Sequence, residues 1–149
     1  MGHPSIPALP CLCATFRRAA RLVSQRYDAA LSPTGLTITQ FTLLQALSLT
    51  GEVSQGRLGE ILAMDSTTLT HTLDIIRRHG WIERRVGADR RQRRISLSPA
   101  GKAQFERAVP LWQQAQTELR ALLGEQRSTN LMNLVHQATS AVAEQESLP

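Results

Sequence analysis

The chain has 149 residues, of which 42% are hydrophobic and 19% charged, and it carries a formal net charge of +5. This length and composition are typical of one folded domain with its own core, and they exclude an intrinsically disordered chain. No apolar run reaches the roughly 18 residues that a membrane span needs, and the N-terminus lacks a signal-peptide pattern. We therefore expect a cytoplasmic protein with no membrane partner, in which both cysteines are free thiols.

The positive charge is concentrated in one short segment. Residues 77–94 contain eight arginines against two acidic residues, a net charge of +6 that leaves −1 for the rest of the chain. The guanidinium fork binds phosphate oxygens and guanine edges through paired hydrogen bonds. Because so dense a cluster favours a polyanion, the segment predicts nucleic-acid binding. A solvated basic hairpin is the alternative interpretation.

The first third of the chain predicts two helices. Apolar residues at helical spacing indicate a helix over residues 11–31, which SPTG at 32–35 ends. TITQ at 37–40 has the form of a capping box, in which the side chains of the first and fourth residues bind each other's backbone N–H groups. It predicts the start of a second helix, which ends at Gly51.

Two short helices joined by a tight turn are expected next. Ser54 is the predicted N-cap of one, and the other, over about 66–79, begins after Asp65 or Ser66. Two helices joined this closely are typical of a helix-turn-helix. The first turns of the second helix carry small polar groups that suit close approach to a phosphate or a base edge. These residues are Ser66, Thr67, Thr68, Thr70 and His71.

A basic hairpin follows directly. WIERR and RRISLS alternate apolar and polar residues and predict two strands, while VGADRRQ between them predicts a turn. A helix-turn-helix followed by such a hairpin indicates a winged helix-turn-helix. In that arrangement the fourth helix enters the major groove of DNA, and an arginine of the wing, residues 86–92, enters the minor groove.

Two further helices are expected to end the chain. SPAG at 98–101 predicts the start of a long helix with Ser98 as its N-cap, and a last helix is expected from about Thr129 to Glu144. Both carry apolar stripes that the DNA-binding part does not cover, so we expect a two-fold homodimer. The predicted fold is mainly α with a small β-hairpin wing. Its predicted parts are an N-terminal arm and first dimerisation helix (1–35), the winged helix-turn-helix (36–98) and C-terminal dimerisation helices (99–149).

The chain from Cys13 to about Val142 resembles the MarR family of bacterial transcription regulators. The most specific part is GADRRQRRISLSPAGK, which is similar to the D-x-R wing of that family followed by a strand and a long helix. The resemblance implies a homodimer that binds a pseudo-palindromic operator on double-stranded DNA. It also implies a repressor that a small molecule, an oxidant or a metal releases. Asp89 would brace the wing and Arg91 would reach the minor groove.

The resemblance and the residue types together give one set of predicted DNA-binding residues. They are Ser54, Gln55, Ser66, Thr67, Thr68, His71, Arg77, Asp89, Arg90 and Arg91. Helix capping, a turn residue or a solvated charge is the alternative at single positions. Two competing functions are an architectural DNA-binding protein that senses nothing and a thiol-based peroxide-reactive enzyme. We find no catalytic constellation, cofactor motif or metal-ligand spacing, so we expect no catalytic residue, cofactor or resident metal.

The two cysteines, Cys11 and Cys13, lie at the start of the first helix. LCATF at 12–16 resembles the start of the organic-peroxide-sensing branch of the family. That resemblance implies a reactive Cys13 hydrogen-bonded by Tyr27, fourteen residues later in the same helix. The helix N-terminus and Arg17 favour a thiolate. Three interpretations stay open: structural filling, redox sensing with Cys11 as the resolving partner, and binding of a soft metal ion.

Overall fold

The structure is a computed structural model that describes residues 6–146. It is mainly helical with a small antiparallel sheet, as the sequence predicts. The elements in chain order are α1 (Leu12–Leu31), a 3₁₀ turn (Ser32–Thr34), α2 (Ile38–Thr50), β1 (Val53–Ser54), α3 (Gln55–Leu62), α4 (Ser66–Arg78), β2 (Ile82–Val86), β3 (Arg93–Leu97), α5 (Pro99–Leu123) and α6 (Glu125–Glu146). The chain forms two compact units that divide after Trp112.

The helices of the first unit begin where side chains can bind their free N–H groups. The Thr37 hydroxyl accepts from the Gln40 N–H at 3.3 Å, and the Gln40 side chain accepts from the Thr37 N–H at 3.1 Å. Ser54 accepts from the Arg57 N–H at 3.2 Å at the start of α3. These bonds satisfy donors that a helix leaves unpaired, so they fix the first residue of each short helix.

The sheet has one strand more than the sequence predicts. The hairpin pairs β2 with β3 from Ile82↔Leu97 to Val86↔Arg93, and the two-residue strand β1 pairs with the other edge of β3. The strand order is therefore β1-β3-β2. Two residues are too few to show an alternating pattern, so β1 could not be recognised from hydrophobic periodicity.

The core of the first unit joins the helix-turn-helix, the sheet and the first half of α5. Phe41 of α2 is fully buried, with its ring centroid 5.3 Å from that of Phe105 and 5.5 Å from that of Trp112. Other side chains with almost no exposed surface are Leu31, Leu43, Leu44, Leu47, Leu58, Leu69, Leu73, Ile76, Ile95 and Ala108. The predicted boundaries at 35/36 and 98/99 divide the chain by role and stay a prediction.

In the second unit, α6 begins four residues earlier than predicted. Gly124 adopts a left-handed φ of 87°, which ends α5 and lets α6 start at Glu125. Arg120 donates to the Glu125 carboxylate at 2.6 Å, and this hydrogen bond lowers the pKa of Glu125. Ser128 donates to the Gly124 carbonyl at 2.9 Å. The polar run at 125–128 hid this start, because it lacks the apolar spacing that reveals a helix.

The start of α5 is locked against the end of α4. The Ser98 hydroxyl donates to the Gly80 carbonyl at 2.5 Å and accepts from the Gly101 N–H at 3.0 Å, so it caps α5 as predicted. The Ser98 N–H donates to the Trp81 carbonyl at 3.0 Å. A Cβ on Gly101 would overlap that same carbonyl oxygen, so only glycine allows this approach.

We expect Gly101→Ala to destabilise the protein by about 3 kcal/mol, because the added methyl group must push α5 away from Trp81. Urea unfolding at a fixed protein concentration measures the effect. Gly56→Ala in α3 is the matched control, since a Cβ there meets no atom within 4 Å. That control should be neutral or slightly stabilising. Equal stability of the Gly101→Ala variant and the wild type would contradict the close contact between Gly101 and the Trp81 carbonyl.

Candidate nucleic-acid interface

The turn between α3 and α4 is held by a close contact and a left-handed residue. Ala63 ends α3 with φ 48°, and Met64 N–H donates to the Gly59 carbonyl at 3.0 Å. A Cβ on Gly59 would lie 3.3 Å from the Leu69 Cδ2 atom, so the two helices approach closely at this point. The chain therefore turns sharply into α4 with Leu58 and Leu69 buried beneath it.

The outer face of α4 is polar and exposed. Leu69, Thr72, Leu73 and Ile76 are buried on the inner face, which leaves the opposite face in solvent. Five outer residues line an open groove of about 410 Å³: Ser66, Thr67, Thr70, His71 and Asp74. Three of the predicted contact residues therefore share one surface.

Thr68, also predicted as a contact, takes part in the cap of α4. Its hydroxyl donates to the Asp65 carboxylate at 2.6 Å, and its N–H donates to the other carboxylate oxygen at 2.9 Å. These side-chain and backbone hydrogen bonds lower the pKa of Asp65. Asp65 therefore caps α4 as an anion, which also suits the positive end of the helix dipole.

The start of α3 lies beside the wing. Ser54, Gln55 and Gly56 form one wall of a cleft of about 320 Å³, and residues 91–93 of the wing form the other. Gln55 also donates its side-chain N–H to the Thr70 hydroxyl at 3.1 Å, which connects α3 with the outer face of α4. The structure thus brings the predicted Ser54, Gln55 and Arg91 together.

Hydrogen bonds within the turn shape the tip of the wing. The Asp89 carboxylate accepts from the Arg91 N–H at 3.0 Å, and the Asp89 carbonyl accepts from the Gln92 N–H at 2.9 Å. Gly87 N–H donates to the Gln92 carbonyl at 2.8 Å and closes the hairpin. This side-chain turn fixes the backbone that carries Arg91.

The arginines of the basic segment differ in their partners. Arg77 and Arg85 form long ion pairs with Asp74 and Glu83, at 3.8 Å and 3.7 Å. Three exposed arginines, two in the wing and one at the start of β3, have no ion pair with any side chain of residues 6–145. They are Arg90, Arg91 and Arg93. Arg93 was not predicted as a contact, although its place beside the turn in an arginine run was a usable signal.

The two cysteines occupy different positions at the start of α1. Cys11 is the N-cap residue, with extended φ −114° and ψ 120°, and Cys13 is the second residue of the helix. Both are exposed, so neither fills the core of the chain. Thr15 donates to the Cys11 carbonyl at 2.9 Å, and Arg18 donates to the Pro7 carbonyl at 2.9 Å. These bonds hold the segment before α1 against the helix.

The structure does not bring Cys13 and Tyr27 together within one chain. Both lie in the unbroken helix α1, and fourteen residues at 1.5 Å each separate them by about 21 Å. The predicted hydrogen bond between them is therefore wrong for a single chain. Tyr27 is buried, which raises its pKa, whereas Arg17 is exposed near the thiols.

The side chains that the structure describes, those of residues 6–145, include no group of three or more His, Cys, Asp or Glu placed to bind a metal ion. Among the same residues, no helix combines the length and apolar character needed to cross a membrane. The features that stand out are an exposed polar helix face and a neighbouring arginine wing. Together they define a winged helix-turn-helix of the DNA-binding class.

Comparisons with known proteins agree with this class. A profile of the MarR family matches residues 34–92. The chain is similar to the M. tuberculosis transcriptional regulator MosR in complex with DNA, with 40% identity, a TM-score of 0.76, and 88% of this chain and 98% of that chain covered. It is also similar to a mutant of E. coli MarR complexed with operator DNA, with 25% identity, a TM-score of 0.78, and 85% and 92% covered.

The helix-turn-helix regulator YwoH of Bacillus subtilis, which is uncharacterized, is 28% identical over 89 residues. Those residues are 60% of this chain and 65% of that protein, so the match spans just under two thirds of the relative. The chain belongs to the MarR family of DNA-binding transcriptional regulators. These relatives are regulators rather than enzymes.

Proposed function

We propose that this chain is a sequence-specific transcriptional repressor that binds a pseudo-palindromic operator as a homodimer and releases it in response to a chemical signal. The observation that carries the proposal is the exposed polar face of α4, which Gln55 connects to a cleft that Arg91 and Arg93 line. The DNA complexes of MosR and of the MarR mutant support it, because those proteins share this fold.

In this proposal each part of the interface has its own role on DNA. The outer face of α4 reads the major groove through Ser66, Thr67 and His71, whose short side chains allow the helix to approach the base edges. Arg91 enters the minor groove at a position that the Asp89 turn sets, and Arg90 binds the neighbouring phosphates. Phosphate contacts make the affinity fall as the salt concentration rises.

We expect Arg91→Ala to weaken operator binding by about 1–3 kcal/mol, and to reduce the slope of log affinity against log salt by about 0.9 if a phosphate contact is lost with it. Fluorescence anisotropy over a salt series measures both values. Arg107→Ala, which removes an exposed arginine of α5, is the matched control and should bind like wild type. Unchanged affinity of the Arg91→Ala variant would remove Arg91 from the site.

The homodimer is proposed from apolar surface that a single chain leaves in water. Apolar residues of α6 fall on one side of the helix, with side chains that are between 36% and 63% exposed. They are Leu131, Leu134, Val135 and Val142. In α1, Leu12 is 79% exposed and Phe16 is 46% exposed. A folded chain rarely leaves so much apolar surface uncovered, and a second copy of the same chain can cover it.

Leu131→Glu combined with Leu134→Glu should give a monomer, because a dimer that forms through this side of α6 would bury four carboxylates. We expect light scattering to show one chain mass and operator affinity to fall at least about tenfold, since two linked half-sites are no longer bound together. Asn133→Glu adds a charge to the opposite side of α6 and serves as the control. A doubly substituted variant that stays dimeric would place the interface elsewhere.

The signal is proposed to act on the thiols at the start of α1. A hydroperoxide can oxidise the two thiols to a disulfide, with the alcohol and water as products. Cys11 is the extended N-cap residue and Cys13 is the second residue of α1, so a disulfide between positions this close in the chain requires the first turn of α1 to unwind. Such unwinding would move Leu12 and Phe16 in the proposed dimer face. It would thereby change the distance between the α4 helices of the two subunits, which operator binding fixes at about 34 Å.

Operator release tests the thiols. We expect cumene hydroperoxide to release DNA from the wild type and not from Cys13→Ser, with Cys11→Ser responding only in part. Titrations with arsenite, Zn²⁺ and salicylate compare a soft metalloid, a metal ion and a phenolic ligand on the same complex. If the variant with both substitutions responds to all four compounds like wild type, the thiols are structural. Repeated turnover of the peroxide with a thiol reductant would instead favour an enzyme.

A further inference from the structure

The ion pair between Glu52 and Arg94 joins two parts of the chain that lie 42 residues apart. Arg94 Nε donates to a Glu52 carboxylate oxygen at 2.7 Å, and Arg94 Nη2 donates to the Glu52 carbonyl oxygen at 3.3 Å. Two acceptors of one residue therefore hold the guanidinium group. Glu52 directly precedes β1, and Arg94 lies in β3, the central strand of the sheet.

Arg94 differs from the exposed arginines in and beside the wing, because its guanidinium group is already bound within the protein. The side chains of Arg90, Arg91 and Arg93 are exposed and make no ion pair within the described part of the chain. The Arg94 side chain is 40% exposed, but it is bound to a carboxylate and a carbonyl, and it would have to break both bonds to reach a phosphate. It is therefore poorly placed to bind DNA directly.

The ion pair lies where the wing is attached to the helix-turn-helix. On this side the strand β1 pairs with β3 through Val53↔Ile95 and Ser54↔Arg94. Gln55, the next residue, is the first of α3. Arg94 lies opposite Ser54, so its side chain reaches diagonally across the strand pair to Glu52, two residues earlier. These bonds therefore restrict how the wing can tilt relative to α3.

We propose that Glu52 and Arg94 are positioning residues for DNA binding, which hold the wing at the angle from which its tip reaches the minor groove. The inference rests on the proposed function, because it concerns the same DNA-binding surface. Glu52 is the informative residue of the pair. The negative charge of a carboxylate next to a DNA interface repels the phosphates, so removing it should strengthen DNA binding. Weaker binding after its removal therefore indicates that the ion pair positions the wing.

The test uses the full-length protein and a fluorescent duplex of about 30 base pairs, which covers two half-sites one helical turn apart. The wild-type protein first selects this duplex from a random pool. Affinity is then measured over a salt series for Glu52→Gln, Arg94→Ala and the charge reversal Glu52→Arg with Arg94→Glu. Arg90→Ala is the matched control for a direct phosphate contact. Thermal unfolding of each variant identifies any change in the fold.

We expect Glu52→Gln and Arg94→Ala each to weaken binding about three- to sixfold with an unchanged salt slope, whereas Arg90→Ala lowers the slope. The charge reversal should recover part of the loss. Tighter binding by Glu52→Gln, or a lower slope for Arg94→Ala, would show that Arg94 contacts phosphate and would overturn the inference. Wild-type affinity in both single variants would also overturn it. If the wild type selects no duplex at all, the proposed function itself fails.

Discussion

The approach of Gly101 to the Trp81 carbonyl is the constraint on which the position of α4 depends. Ser98 binds Gly80 on one side and caps α5 on the other, so the end of α4 and the start of α5 meet at one serine. A helix end that is hydrogen-bonded in this way cannot rotate independently of its neighbour. Any displacement of α5 along its first turns must therefore move the end of α4 with it.

Local chemistry made much of this fold predictable. The N-caps Thr37, Ser54 and Ser98 were recognisable because a short polar side chain before an apolar run satisfies free N–H groups in only one way. The wing could be predicted because its two strands alternate and its turn contains glycine and aspartate. In these segments, a few neighbouring residues determine the structure.

What depended on distance in space was harder to predict. The strand β1 exists because β3 offers a free edge, and nothing in Val53–Ser54 alone indicates pairing. Cys13 and Tyr27 have the fourteen-residue spacing of the peroxide-sensing branch, which suggested a contact. A helix rises with every residue, however, and so it holds the two side chains far apart. The bond between Glu52 and Arg94 was equally hidden, because residues 42 positions apart show no relation in the sequence. At the interface, the sequence shows which types of residue are present. Only the structure shows which of their side chains are already hydrogen-bonded to other groups of the protein.

The uneven charge also has a consequence for the rate at which the protein meets DNA. Eighteen residues carry a net charge of +6 and the remaining chain carries −1, so the molecule has a strong electrical asymmetry. The electric field of a duplex acts on this uneven charge and turns the basic segment toward the phosphates before contact. Encounters then begin with the wing in front, which raises the fraction of collisions that succeed. Because the orienting field extends only about 8 Å at physiological salt, this guidance acts in the last steps of the approach.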